Sequence, residues 1–452
     1  MVGLNIRTIA RAGVFAGLTL VAGVPAGWAT DLKDSIERTV ATNPEIGVAR
    51  AQRRAADQEI PQAVAGYLPQ LDLRGFAGYQ RTDSSTTRSR SSRSPGEDGD
   101  VDKFAREGTI GLTQLLFDGF VTPARIARAR VLADVAAYST HRTTEIVGLS
   151  GVERHLDTLR QQELLRLAEA NAQVHRTYMV LVSQRVASGR GRMVDQVQTE
   201  GRLAQAEASV IQSRGQLTDA LSRYRRVVGE EAADLVRPEP PTSHVPERLD
   251  EALARAQRQN PALPAAAGQV AASRENVTAA QGAFYPRIAL EGGATRGGDT
   301  GGEDGSVTND TALLTARHNF YRGGSDLATI RGERARVEAA QYSEDAARRA
   351  VADDVRVTHN AWMTARARLV ELRRYVRATE QVRDAYIQQY NLGQRSLLDL
   401  LDIENELFNA RSSYVTGEFV ELFAQYQTLT AMGELLPVLG IPLPEEARPA
   451  TR

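Results

Sequence analysis

Nearly every landmark in this chain occurs twice. Asn43-Pro44 returns as Asn260-Pro261, and Tyr67-Leu68-Pro69-Gln70-Leu71 returns as Phe284-Tyr285-Pro286-Arg287-Ile288. Phe117-Asp118-Gly119 returns as Tyr321-Arg322-Gly323, and Gly189 and Asp195 return as Gly393 and Asp399. The offset is 217 residues at the first landmarks and 204 at the later ones, so one loop is 13 residues shorter in the second copy. Solenoid repeats run at about 20–50 residues. This period is a duplicated half-molecule, and each half reads helix, strand, loop, strand, long helix, tip, helix. The spacing predicts repeats over 30–228 and 249–436, a linker over 229–248 containing the Pro-rich 238–246 stretch, and a short C-terminal tail over 437–452.

Before the first repeat, Arg7 and Arg11 precede an apolar, small-residue stretch over 12–24 and then Gly27-Trp28-Ala29. That is the pattern of a secretory signal peptide over 1–29, cleaved after Ala29 or, alternatively, after Ala26. The stretch is short for a retained bilayer anchor, and no later segment reaches the roughly 18 apolar residues of a membrane helix. There is no cysteine, hence no disulfide and no lipid-modified N-terminal Cys. A formal net charge of −1 argues against a nucleic-acid partner.

Within each half the apolar period changes. Leu32, Ile36 and Val40 share a helix face, as Leu249 and Leu253 do in the second copy. Asn43-Pro44 and Asn260-Pro261 then suit the start of a second helix. Leu71, Leu73, Ala77 and Tyr79 alternate with polar residues, as do Ile288, Leu290 and Ala294. Period two means strands with two unlike faces. Partner strands are expected over 108–117 and 311–320, with polar, low-complexity loops over 81–103 and 296–310. Gly297-Gly298-Asp299-Thr300-Gly301-Gly302 bears a faint likeness to a calcium-binding repeat, but a single degenerate copy reads as a flexible loop.

No proline falls between Pro123 and Pro238 or between Pro286 and Pro437. Residues 120–188 and 324–391 therefore read as near-continuous helices of roughly 100 Å each. Val351, Val355, Thr358, Trp362, Ala365, Leu369, Leu372 and Val376 follow alternating spacings of four and three, a coiled-coil-like seam. Gly189 and Gly393 end these helices, and return helices run to about Val228 and Met432. If the strands lie in a membrane, their sheet must close on itself. Four strands cannot close a barrel, so chains must pool them; counting alone leaves a dimer and a trimer open.

The duplicated Asn-Pro, the Tyr-Leu-Pro-Gln-Leu strand entry and Leu116-Phe117-Asp118-Gly119 at the strand exit resemble the TolC-like family of outer-membrane secretion and efflux channels. The most specific match is Tyr390-Asn391-Leu392-Gly393-Gln394-Arg395-Ser396-Leu397-Leu398-Asp399-Leu400-Leu401-Asp402, which is similar to the family's tip motif around its periplasmic gate. The resemblance covers almost the whole mature chain. It implies a mixed, mainly α fold: a long α-helical coiled-coil barrel forming a periplasmic tunnel, plus four β-strands per protomer in a twelve-stranded transmembrane barrel shared by a homotrimer. It also implies outer-membrane lipid around the barrel, docking at the helical tips near Gly189 and Gly393 onto a periplasmic adaptor (a membrane fusion protein), and through it an inner-membrane ABC or proton-driven transporter.

By the same resemblance Asp399 and Asp402 ring the tunnel's narrow end, while Tyr390, Arg395 and Asp195 make contacts that hold the gate shut. Asp399 and Asp402 are three apart and share a helix face. A ring of such carboxylates attracts cations and repels anions. Ser396 with Asp399 also fits a helix capping box, a reading that stands beside the gate. Val194 sits where the family can carry a hydroxyl, so one gate hydrogen bond is expected to be missing.

Enzyme chemistry finds no support: the six histidines are scattered, and no zinc motif, nucleophile elbow or phosphate loop is present. No cofactor or metal is expected. The reading is a passive exit duct for type I secretion, with the outer-membrane component of a multidrug efflux pump as the alternative. A periplasmic coiled-coil adaptor, from a different class, would show one hairpin rather than two and no strand pairs; resistance of a barrel oligomer to cold SDS separates the two.

Overall fold

A computed structural model describes residues 30–91 and 100–450. The expected signal peptide therefore lies outside the described residues. The first repeat contains α1 (Leu32–Thr42), α2 (Pro44–Val64), β1 (Gln70–Asp83), α3 (Ser85–Ser91), β2 (Asp100–Phe117), α4 (Val121–Ala187) and α5 (Met193–Val228). The second contains α6 (Leu249–Gln259), α7 (Ala262–Gln281), β3 (Arg287–Gly298), β4 (Ser306–Arg317), α8 (Ser325–Asn391) and α9 (Leu397–Met432), followed by the single turn and a half of α10 (Leu435–Leu439). Duplication is visible in the lengths: α4 and α8 have 67 residues each, α5 and α9 have 36 each.

The capping chemistry behaves as the sequence implies. Asn43 and Asn260 accept the N–H groups of Glu45 and Ala262, both at 2.9 Å, and so start α2 and α7. Their amide groups also reach across to Val227 and Ala431 carbonyls, tying each helix start to the end of its return helix.

The four strands form one antiparallel sheet in the order β1-β2-β3-β4. Its strands run further than expected. Residues 81–83 and 100–103 belong to the β1–β2 ladder, and 296–298 and 306–310 to the β3–β4 ladder. The fourth strand ends at Arg317 rather than Phe320. These polar ends pair through side chains, with Arg296 bidentate to Asp310 at 2.7 and 3.0 Å and Lys103 paired with Asp304.

Away from the sheet the helices make a wall one layer thick. Near the sheet α2 packs on α4, α4 on α7 and α7 on α8; further down, α5 and α9 take over as neighbours of α4 and α8. The predicted seam is the line α8 buries, with Val351, Val355 and Trp362 inside. The main apolar core lies partway down, where Leu32, Ile36, Val152, Leu156, Trp362, Phe419, Leu429 and Leu435 meet. Glu145, buried there, accepts the Leu435 and Leu436 N–H groups at 3.2 and 3.3 Å and fixes α10. The tail does not trail free: Glu446 bonds Arg50 and Arg54 of α2 at 2.9 and 2.8 Å. The linker is strapped to the start of the first repeat by Thr30 pairing with Asp234 and Val236.

Candidate functional site

Two regions carry the functional chemistry, one at each end of the long helices. At the sheet, the register sets Leu71 opposite Leu112, Leu73 opposite Ile110, Tyr79 opposite Phe104 and Leu290 opposite Leu314. All eight side chains are exposed, on one face. From Leu71 to Tyr79 this face runs roughly 26 Å along the strand at ~3.3 Å per residue, or about 20 Å of height at a barrel tilt near ~40°, most of the ~25 Å apolar band of an outer-membrane barrel. Aromatic rings gather where the sheet meets the helices: Phe117, Phe120 and Tyr285 touch edge to face at 5.5–6.3 Å, as at a membrane interface. The opposite face carries Gln70, Thr113, Glu291 and Thr315, with Thr315 donating to Glu291 at 3.0 Å. No helix among the described residues is long and apolar enough to cross a membrane.

At the far end, Gly189 and Gly393 take φ of +70° and +76° and let both long helices stop. Arg190 and Gln394 donate back to the Arg185 and Gln389 carbonyls at 2.8 and 2.9 Å, closing both tips the same way. Around these turns Met193, Val194, Val197 and Leu392 stand exposed.

The capping box at Ser396 is present. Ser396 Oγ accepts the Asp399 N–H at 3.2 Å, and the Asp399 carboxylate accepts from Ser396 Oγ at 2.8 Å. The Ser396 hydroxyl, helped by its N–H and by Arg395 at 3.7 Å, holds the Asp399 carboxyl below the usual carboxylate range, so it is ionised. Arg395 also donates to Gln389 at 3.1 Å and lies over the Tyr386 ring. Asp402 pairs with Arg202 of α5, a partner on the other hairpin. Tyr390 packs against the cluster of Val182, Leu397 and Leu401, and its hydroxyl accepts from Arg185 at 2.6 Å. Asp195 sits in the first turn of α5 and accepts from Arg192 at 3.2 Å. Within one chain the fold therefore brings Arg395 to Asp399 and ties the two hairpins through Arg185–Tyr390 and Arg202–Asp402; among the described residues Asp195 bonds Arg192 rather than Tyr390 or Arg395.

One residue pair escaped the sequence. Tyr178 of α4 donates to the buried Glu404 of α9 at 3.1 Å. Burial raises the Glu404 carboxyl, against the opposing pull of the Tyr178 bond and of Arg383 and Arg411. Glu404 lies five residues after Asp399 on an otherwise apolar face with Leu397, Leu400 and Leu401, and that misplaced charge was the available signal.

A one-layer helical wall with an exposed apolar sheet at one end and glycine-closed helical tips at the other defines an outer-membrane channel subunit. The family profile described as outer membrane efflux protein matches residues 35–230 and 252–438, and the chain belongs to that family. It is 25% identical over 436 residues to outer membrane efflux protein BepC of Brucella suis, covering 95% of this chain and 91% of the relative. It is 25% identical over 426 residues to alkaline protease secretion protein AprF of Pseudomonas aeruginosa, covering 92% and 85%. Among solved structures the CmeC outer membrane channel of Campylobacter jejuni superposes with a TM-score of 0.75 at 12% identity, over 96% of this chain and 94% of that one. This protein is thus an outer-membrane duct for type I secretion or efflux, a helical tunnel carrying β-strands.

Proposed function

We propose that three copies pool their strands into one twelve-stranded barrel and their helices into one periplasmic tunnel, which serves polypeptide secretion by a type I system. The carrying observation is the open sheet: among the described residues β1 and β4 each have an unpaired edge, and its apolar face needs lipid. Unpaired edges in hydrocarbon are intolerable, so the strands must close with those of other copies. The secretion assignment is supported by the likeness to a protease secretion protein and by the absence of cysteine, which removes the lipid anchor of many drug-efflux relatives. The exposed apolar residues at Gly189 and Gly393 suit docking of a periplasmic adaptor and, behind it, an inner-membrane ABC transporter.

In this reading Asp399 and Asp402 form the narrowest constriction, and Tyr390, Arg395 and Asp195 hold the surrounding helices. Capping does not compete with that role, because the cap leaves Asp399 charged at the helix mouth. Six carboxylates around one axis favour cations wherever they outweigh the Arg395 and Arg202 groups paired with them. Two like charges ~6 Å apart repel by about 2.8 kcal/mol at an effective dielectric near 20. Asp399→Ala with Asp402→Ala should weaken cation selectivity in planar bilayers by a measurable shift in reversal potential. Unchanged selectivity would leave these residues as cap and surface carboxylates.

A further inference from the structure

Positive charge collects where the sheet joins the helical wall. Arg287 opens β3, Arg317 closes β4, and the register places them directly opposite each other. They share the polar face with Thr315 and Glu291. Like charges in that position repel across the ladder. Both line a concavity of about 690 Å³ together with Arg125 of α4 and Arg322. Among the described residues no carboxylate lies within ion-pair distance of Arg125, Arg287 or Arg317. The two acids in the concavity are already engaged: Asp118 accepts from the Thr122 N–H and hydroxyl at 2.8 and 2.6 Å, and Asp326 pairs with Arg322 at 3.6 Å. The amino ends of α4 and α8 open into the same space, and Gly324 gives α8 no side-chain cap. Their dipoles add to the positive potential.

We infer that this junction is an anion-binding site on the inner wall of the duct, taking the carboxylate or phosphate groups of material passing from tunnel to barrel. Two guanidinium groups on one face of neighbouring strands supply paired N–H donors of the kind that bind the two oxygens of such a group. Binding an oxyanion between Arg287 and Arg317 would turn their mutual repulsion into two attractions. The lumen is then basic at the junction of sheet and helices. The inference rests on the reading that the polar face lines the lumen.

Single-channel recording in phosphatidylcholine bilayers, with inorganic tripolyphosphate added on the barrel side, tests it. The wild-type channel should lose conductance as tripolyphosphate is added. The Arg287→Gln, Arg317→Gln channel should need about tenfold more, as expected for loss of charge-assisted hydrogen bonds. Arg125→Gln, which leaves the sheet untouched, should also raise the half-blocking concentration, so a sheet variant that fails to assemble does not remove the test. Absence of block in the wild type, or equal block in the variants, overturns the proposal. So does a wild-type conductance that responds to lipid A phosphate in the bilayer but not to tripolyphosphate, which would turn the arginines toward headgroups. A channel that conducts without being blocked refutes this site alone, whereas a chain that forms no channel refutes the duct reading itself.

Discussion

Single residues here are tuned by what crosses between hairpins. Glu404 is buried between α4 and α9, facing Tyr178, with Arg383, Asp384, Arg411 and Tyr390 in the surrounding field. Its carboxyl is raised from the ordinary 4.5, so the folded state binds a proton more readily than the unfolded chain. Stability then falls as pH rises through the folded value, and increases as pH is lowered through it, levelling near the ordinary value. Glu404→Gln keeps an oxygen for the Tyr178 hydroxyl and removes the charge. Its melting temperature at pH 7.5 should be no lower than that of the wild type, and the gain expected of the wild type as pH is lowered toward the ordinary carboxylate value should shrink. A variant that melts well below the wild type at pH 7.5 would mean that the charged form is the one the fold wants. Asp399 is the opposite case, exposed and held ionised by a cap legible as Ser396-x-x-Asp399. Asp402's partner Arg202 was not legible, because 200 residues separate them and no spacing rule links one hairpin to the other.

The elements were legible in proportion to how uniform their surroundings are. The absence of proline and the two glycine stops gave α4, α5, α8 and α9 nearly to the residue, since a helix in a one-layer wall repeats the same environment for many turns. Strand ends were missed because both faces of the sheet are polar beyond the membrane, so the period of two fades while ion pairs such as Arg296–Asp310 continue the ladder. The joint between sheet and helices is the least forgiving part. Gly119 turns with φ +71° against the Gly282 carbonyl, where a Cβ would come within 2.6 Å, and a Cβ on Gly282 would stand 2.2 Å from Val121 Cγ2. Gly282→Ala should cost on the order of 1–3 kcal/mol by overpacking. That should appear as a lower temperature for heat dissociation of the proposed trimer. Gly47→Ala, on a helix with open space around it, should leave that temperature within a few degrees. Equal behaviour of the two variants would show that the joint can yield.

At the scale of the whole molecule, strands and long helices must leave the membrane on opposite sides, which fixes the orientation of the assembly. The chain has no cysteine, so introduced thiols report without background. Ser306→Cys, at the start of β4 beside the β3–β4 turn, should react with an impermeant thiol reagent on intact cells. Ser188→Cys, at the end of α4, should react only after the outer membrane is permeabilised. The reverse pattern would invert the topology. The paired lengths of 67 and 36 residues also bear on how such a chain can change over generations. One residue inserted into α4 alone would push its tip about 1.5 Å past its twin and rotate every later side chain by roughly 100°. A change in reach is therefore tolerable only when both halves acquire it in step, and in whole turns. The 13-residue difference between the copies lies between the Tyr67 and Phe117 landmarks, on the hairpin that caps neither tip, where a change in length leaves the two tips level.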